Sequence, residues 1–216
     1  METNTTEQKA PRPEFDDTHD PMEVVRAYGP AAGIGIAIAL ALSLGTYFYK
    51  NQQQNVRDRA SEMLLNAQSV DHLHGVLDQY PDTPSAPMAL LALASERFHE
   101  SRFDLARNHY EQFIEQYPDH VMAPSAHLGL AYCMEAEGQL GAALSAFRAL
   151  RENDPDHYLA PMALLSEARV LTVMEQFEEA RALYEDYLDN NPEGAWRSQA
   201  LAAQVYVEKE MRASGK

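Results

Sequence analysis

One segment near the N-terminus is apolar at almost every position. No charged residue occurs from Ala27 to Tyr49, and the densest part, Ala31 to Tyr49, has 19 residues. At ~1.5 Å per residue, a helix of that length covers about 28 Å, close to the ~30 Å hydrocarbon core of a bilayer. Tyr28 and Tyr47 stand near its ends, where interfacial aromatic residues belong. The pattern predicts a transmembrane helix over 27–49.

Two alternatives compete for this segment. Its centre, "GIGIAIALALSLG", alternates small and large residues, and alternation is a strand signal. Both kinds of residue are apolar, however, so neither face suits water, and glycine disfavours a strand interior. The triplet Ala41-Leu42-Ser43 would also suit cleavage of an export signal, but the preceding region is long and acidic where signals are short and basic. An uncleaved anchor is the favoured interpretation, and cleavage stays open.

Small residues recur at every fourth position within the predicted span. Such stripes allow close packing of helices in lipid. A second stripe of small residues lies beside the first, so the pattern leaves the packing face undecided. The candidate packing residues are Gly29, Gly33, Ala37, Ala41 and Gly45.

The rest of the chain repeats with a period of 37 residues. "YPDTPSAPMALLALA" begins at Tyr80, "YPDHVMAPSAHLGLA" at Tyr117 and "DPDHYLAPMALLSEA" at Asp154, and Asn191 opens a fourth lead-in. In each unit the first proline ends a helix, and the second suits the first turn of the next helix. The pattern predicts stacked pairs of helices, A and B, because no single pair can bury its apolar face alone.

Helix B of each unit carries one apolar face. An alanine is followed four residues later by an aromatic residue and after three more by another large residue. The three sets are Ala106, Tyr110 and Phe113; Ala143, Phe147 and Leu150; and Ala180, Tyr184 and Tyr187.

The second unit resembles the tetratricopeptide repeat. The residues that carry the resemblance are Leu128-Gly129 and Tyr132 in helix A, then Ala143, Phe147 and Pro155. The unit is longer than the usual 34 residues, and the resemblance covers Tyr80 to about Lys209. It implies an all-α fold, an α-solenoid of helix pairs preceded by one transmembrane helix. Units with a "YPD" lead-in also resemble Tol-Pal and outer-membrane assembly proteins of this repeat class.

These patterns predict the domain organisation. A disordered acidic tail precedes the membrane helix, and a connector with a first helix pair leads into three repeats and a capping helix. The predicted bounds are 1–26 for the tail, 27–49 for the membrane helix, 50–79 for the connector and first pair, 80–116, 117–153 and 154–190 for the repeats, and 191–213 for the cap.

The charge balance argues against nucleic-acid binding. The chain holds 17 Lys and Arg against 33 Asp and Glu, a formal net charge of −16, and such a surface repels phosphate backbones. Cys133 is the only cysteine, so neither an intrachain disulfide nor a cysteine-based zinc site can form.

Motifs of catalysis are missing from the sequence. It contains no phosphate-binding glycine loop, G-x-S-x-G or H-E-x-x-H pattern. His120 and His157 occupy equivalent lead-in positions, where we expect them to cap or pack. His72 and His74 would face different sides of a helix. We therefore expect no enzyme, no cofactor and no metal site.

A solenoid offers a concave surface formed mainly by A helices. The position of the Leu-Gly pair predicts a partner-binding groove on that side, suited to an extended or helical peptide. The alternative is that these residues pack against each other and the cap. The predicted lining comprises Leu93, Glu96, Leu130, Cys133, Glu167 and Val170.

An anchor followed by helical repeats resembles the ancillary subunit of the bacterial Sec translocon, the YfgM-like family. The resemblance implies a scaffold in the inner (cytoplasmic) membrane, facing the periplasm and binding the translocon or periplasmic chaperones. Arg12 and Arg26 precede the span, and Lys50, Arg57 and Arg59 follow it, a near tie with a slight bias toward a cytoplasmic C-terminus. A long domain can translocate regardless of nearby charge. The alternative function is a homo-oligomeric assembly subunit of an envelope complex, of the Tol-Pal or cell-division type.

Overall fold

The computed structural model describes residues 21–213. Within the first helix, the surroundings of residues 21, 23–32 and 36 lie outside that description, as do residues 1–20 of the predicted disordered tail over 1–26. The described residues form nine helices and no strand. The helices are α1 Pro21–Leu65, α2 Val70–Gln79, α3 Ser85–His99, α4 Phe103–Gln116, α5 Ala123–Ala136, α6 Leu140–Asn153, α7 Ala160–Val173, α8 Phe177–Asn190 and α9 Arg197–Ala213.

The chain divides into two compact units, with the boundary between Asn55 and Val56 inside α1. In the first unit, Ile34, Leu42 and Phe48 are among the large apolar side chains that are more than half exposed. By length and composition, α1 is suited to cross a membrane. Helix α1 begins at Pro21, so residues 21–26 are helical where the sequence pattern placed them in the tail. Proline at the first helical position explains this start.

The second unit reproduces the repeat in its backbone. Helices α4, α6 and α8 begin at Phe103, Leu140 and Phe177, each 37 residues after the last. The turn between helices A and B is also periodic, with left-handed backbone at Ser101 (φ 61°), Gly138 (φ 78°) and Glu175 (φ 60°). In each turn two backbone N–H groups bond back onto the last carbonyls of helix A, which closes the helix end as in a Schellman motif. The all-α solenoid expected from the sequence is confirmed.

In two of the repeats, a histidine stands in the lead-in before the A helix. Nδ1 of His120 accepts the backbone N–H of Met122 at 3.1 Å, and Nδ1 of His157 accepts that of Leu159 at 3.2 Å. Both histidines therefore act as local caps, as the sequence led us to expect.

Alanine lets the two helices of a pair, and neighbouring pairs, approach closely. Ala106, Ala143 and Ala180 are fully buried at the same repeat position. Gly129 of α5 has the same effect between pairs, because a Cβ there would overlap the ring of Tyr110 on α4. Helix–helix spacing depends on these small side chains.

The C-terminal helix starts later than predicted. Residues 191–196 form another lead-in, in which the N–H of Gly194 bonds the carbonyl of Asn191 at 3.0 Å, and α9 begins at Arg197. The capping helix therefore does not occupy the whole of 191–213. Pro192 and Gly194, which are poor residues for a helix interior, explain the shorter length.

Candidate functional site

The structure buries most of the residues that were predicted to line a partner groove. Leu93, Cys133 and Val170 are fully buried, and Glu167 is 1% exposed. Only Glu96 is exposed, and Leu130 is half-buried. The four buried side chains pack inside the solenoid, so they do not form a surface, and the alternative of internal packing describes them.

The residues on the open face of the A helices precede the predicted lining residues by one position in the repeat. Two adjoining depressions of about 420 and 450 Å³ are formed there by α3, α5, α7, α8, α9 and the lead-in to α9, and they share Tyr132 and Arg169. We call this surface the A-face groove. Its main lining residues are Phe98, Tyr132, Glu135, Ser166, Arg169, Thr172, Tyr184, Trp196, Ala203 and Tyr206.

Three groove residues occupy one repeat position. Tyr132, Arg169 and Tyr206 are spaced 37 residues apart, so successive A helices present them side by side. Tyr206 is 52% exposed at one end of the row. The row gives the groove two phenol groups and one guanidinium group, which suits contact with a peptide through stacking and hydrogen bonds.

Polar contacts hold the centre of this row in place. The Tyr132 hydroxyl lies 2.9 Å from Oγ of Ser166. The guanidinium of Arg169 lies over the Tyr132 ring, 5.9 Å from its centroid, and also pairs with Glu135. These contacts link α5 to α7 and reduce the side-chain freedom that a partner would otherwise have to restrict on binding.

The end of the groove next to α9 is more apolar. Burial raises the pKa of the Tyr184 phenol, so this group stays neutral at physiological pH. Trp196, the only tryptophan of the chain, stands in the lead-in, and its backbone N–H bonds the Tyr187 hydroxyl at 3.3 Å. Aromatic residues of this kind are typical anchors of protein interfaces.

Glu167 takes part in a buried ion pair with two partners. Its Oε1 accepts from Nε of Arg148 at 2.8 Å, and its Oε2 accepts from Nε of Arg151 at 3.0 Å. The hydrogen bond to Glu167 and its negative charge raise the pKa of Arg148. The carboxylate thus joins α7 to α6, which explains why it is unavailable to a partner.

Burial shifts the pKa values of two further groups. It raises the pKa of the Cys133 thiol to about 12, with Glu137 contributing further, so the thiol stays protonated at neutral pH. Burial and the nearby His74 lower the pKa of His109. Among the described residues, no group of three or more His, Cys, Asp or Glu side chains is arranged to hold a metal.

The predicted membrane-packing stripe is on an exposed surface of α1. Ala37 and Ala41 are exposed, and a Cβ added at Gly33 or Gly45 would meet no atom within 4 Å. Gly29 belongs to α1, but its surroundings lie outside the description. Packing of another helix on this stripe stays a prediction.

The helix pairs stack with a fixed period, and their A helices carry an aromatic groove. This architecture defines a helical-repeat protein of the kind that binds other proteins. A family model described as a tetratricopeptide repeat-like domain matches residues 25–206. The chain therefore belongs to this family, whose repeats generally mediate protein–protein interactions and whose members are typically non-catalytic.

Solved structures share the fold at low sequence identity. A tetratricopeptide repeat protein from Parabacteroides merdae superposes with a TM-score of 0.55 at 13% identity, and the match covers 74% of this chain and 61% of that one. Two further structures contain the nearly identical TPR-like repeats of a putative kinesin light chain from Podosopora anserina, one of them with a single substitution. Each superposes with a TM-score of 0.55 at 18% identity, and the match covers 76% of this chain and 87% of that one. No curated protein is significantly similar in sequence.

Sequence motifs do not mark the groove residues. Tyr132 stands out only as a residue of the repeat pattern, and Arg169 and Tyr206 belong to no motif. The usable signal was their common 37-residue spacing, together with the fact that polar or charged groups at this position are poor candidates for a core.

Proposed function

We propose that this protein is a membrane-anchored scaffold of the bacterial cell envelope, whose A-face groove binds a protein partner. In this proposal residues 27–49 span the inner membrane, and the repeats lie in the periplasm. The partner class is the secretion translocon or a periplasmic chaperone. The observation that carries the proposal is the groove with its row of Tyr132, Arg169 and Tyr206, on the same chain as a long apolar helix.

The exposed side chains of α1 support the anchor. Ile34, Ile38, Leu40 and Leu42 are each 56–65% exposed, and water is a poor solvent for so continuous an apolar surface. A bilayer would solvate these side chains, and the helix satisfies its own backbone hydrogen bonds, as a membrane requires.

The composition of the groove supports a peptide partner. The groove is lined by Tyr, Trp and Arg, and these residue types are enriched among the residues that contribute most binding energy at protein interfaces. The chain as a whole carries a formal charge of −16, and the guanidinium of Arg169 stands at the centre of this groove. A segment with aromatic or aliphatic side chains near a carboxylate or backbone carbonyl fits this arrangement.

Fractionation of membranes tests the anchor. The full chain should remain in the membrane after carbonate extraction, whereas residues 51–216 should be soluble and helical by circular dichroism. A truncated chain that stays in the membrane would contradict the proposal. A reporter fused after Lys216 should be active only in the periplasm, and cytoplasmic activity would overturn the orientation.

A matched pair of variants tests the groove. A Tyr132→Ala, Tyr206→Ala double variant should lose co-purifying partner from detergent-solubilised membranes. Tyr158→Ala, which removes a 65% exposed tyrosine outside the groove, should keep the partner. Equal recovery from both variants would exclude the groove as the binding surface.

The open space at the glycines of α1 favours one alternative, a homo-oligomeric assembly subunit of an envelope complex of the Tol-Pal or cell-division type. A Cβ at Gly33, Gly35 or Gly45 would have no neighbour within 4 Å, so a second helix has room to approach. Replacing Gly33 and Ala37 with leucine should lower the oligomer order in detergent and in membranes. An unchanged order would exclude this alternative.

A further inference from the structure

A second pocket, separate from the A-face groove, lies between α5 and α6. Its volume is about 300 Å³, and its lining is mostly apolar. The residues that matter here are His127, Ala146, Ala149, Leu150, Asp154 and His157. None of its lining residues belongs to the groove, so the two sites can be tested independently.

The neighbouring repeats show what the corresponding space normally contains. The position of Leu150 is occupied by Phe113 in the first repeat and by Tyr187 in the third, and both rings are buried. The position of His127 is occupied by Leu90 and Leu164, which are also buried, whereas His127 is exposed. The second repeat therefore lacks an aromatic ring and an aliphatic side chain that the first and third repeats bury at the same positions.

Two alanines enlarge the same space. Ala146 stands where the flanking repeats have His109 and Leu183, and Ala149 stands where they have Gln112 and Asp186. Four positions of one repeat thus depart together toward smaller or more polar side chains. The pocket is the direct result of these departures.

The ring of His157 is placed to meet an aromatic ring. Where the first repeat joins the second, the rings of Phe113 and His120 contact edge-to-face, with centroids 5.5 Å apart and planes at 89°. His157 is the equivalent of His120 and is held by the same backbone bond, from the N–H two residues later to its Nδ1. It lines the pocket, where Leu150 takes the position of Phe113 and supplies no ring.

The rim of the pocket carries a carboxylate. Asp154 lines the pocket at the repeat position that Tyr117 occupies 37 residues earlier. This carboxylate makes no ion pair with any residue that the structure describes. A basic group on a bound segment would have a partner here.

We propose that this pocket binds an aromatic side chain of a partner protein, flanked in sequence by a basic residue. The incoming ring takes the place that Phe113 and Tyr187 take in the neighbouring repeats and contacts Leu150 and the edge of His157. The basic residue pairs with Asp154. The site provides a second recognition point on the B-helix side of the repeats, independent of the groove and of the membrane anchor.

Methyl spectra of the full chain in detergent micelles test this proposal. With 13C-labelled alanine methyls, Ala146 and Ala149 report on the pocket, and Ala200 and Ala203 report on the groove. The probe is an acetylated and amidated lysine–phenylalanine–lysine tripeptide. It should shift the Ala146 and Ala149 signals saturably. The same peptide with alanine in place of phenylalanine, or with glutamate in place of both lysines, should bind about tenfold more weakly or worse.

Leu150→Phe gives the protein the ring that its neighbouring repeats carry and should abolish the shifts. Leu201→Phe adds a ring at an exposed position of α9 and should leave them unchanged. If Leu150→Phe fails to fold, Ala146→Leu, which introduces the residue of the third repeat, serves the same purpose.

Three outcomes would overturn the proposal. The first is the absence of saturable shifts at Ala146 and Ala149. The second is persistence of these shifts in Leu150→Phe, or of the Ala149 shift in Ala146→Leu, where Ala149 is the remaining reporter. The third is a shift of these signals with protein concentration alone, which would assign the pocket to contact with a second copy of the chain.

Discussion

The hydroxyl of Tyr132 lies 2.9 Å from Oγ of Ser166, and this contact joins two consecutive A helices inside the groove. It also places the Tyr132 ring under the guanidinium of Arg169. The groove is therefore held in shape by its own polar groups before any partner arrives. Preorganisation of this kind reduces the entropic cost of binding.

Tyr132→Phe should destabilise the repeats by about 0.5–1.5 kcal/mol, because it removes one part-buried hydrogen bond and keeps the ring. Urea unfolding followed by circular dichroism measures the change. Tyr158→Phe is the matched control, since its hydroxyl makes an exposed contact with Ser125 at 3.3 Å, and we expect a change within about 0.5 kcal/mol. Equal losses in both variants would show that the Tyr132 contact has no special role.

Arg148→Ala and Arg151→Ala should be non-additive. Each single variant leaves Glu167 one guanidinium partner, whereas the double variant leaves a buried carboxylate with neither. We expect the double loss to exceed the sum of the single losses by about 0.5–3 kcal/mol in unfolding free energy.

Adding Glu167→Leu to the double variant should recover most of that stability, because Leu93 is fully buried at the equivalent position of the first repeat. Simple additivity of the two arginine variants, or no recovery with leucine, would contradict the assigned role of the pair.

Gly129→Ala should destabilise the protein by about 1–3 kcal/mol, because its Cβ would overlap the Tyr110 ring and force α4 and α5 apart. Thermal unfolding measures this loss. Gly141→Ala is the control: it is helical, it has no atom within 4 Å of the added Cβ, and it should stabilise by about 0.5–1 kcal/mol. A Gly129→Ala variant as stable as the control would disprove the close approach.

Cys133 should resist a thiol reagent such as dithionitrobenzoate in the folded protein at pH 8. Its side chain is buried, and a pKa of about 12 leaves on the order of a thousandfold less thiolate than a free cysteine. Reaction should rise only when urea unfolds the chain. In a Cys133→Ser background, Ala136→Cys should react at once, because Ala136 is exposed in the groove. Fast reaction of native Cys133 would support the groove lining first predicted from the sequence.

The fold was predictable because the period of 37 residues determines where each helix begins and which alanine faces its partner helix. The groove was less predictable, since it depends on the rotation of each A helix about its axis. A shift of one residue turns a helix by ~100°, so the register that gave Leu93, Cys133 and Val170 points inward. The register one residue earlier, with Tyr132, Arg169 and Tyr206, lines the groove. Gly129 and Tyr110 set this rotation through a contact between helices that the sequence does not display.

Site-specific photo-crosslinking in native membranes tests the central claim most directly. Benzoylphenylalanine placed at Tyr206 lies in the groove, and the same residue at Leu201 lies on another side of α9 with similar exposure, 52% against 49%. We predict a discrete protein adduct from position 206, none from position 201, and loss of the adduct when Tyr132 and Arg169 are both replaced by alanine. Absence of an adduct at position 206, or equal adducts at both positions, would contradict the account.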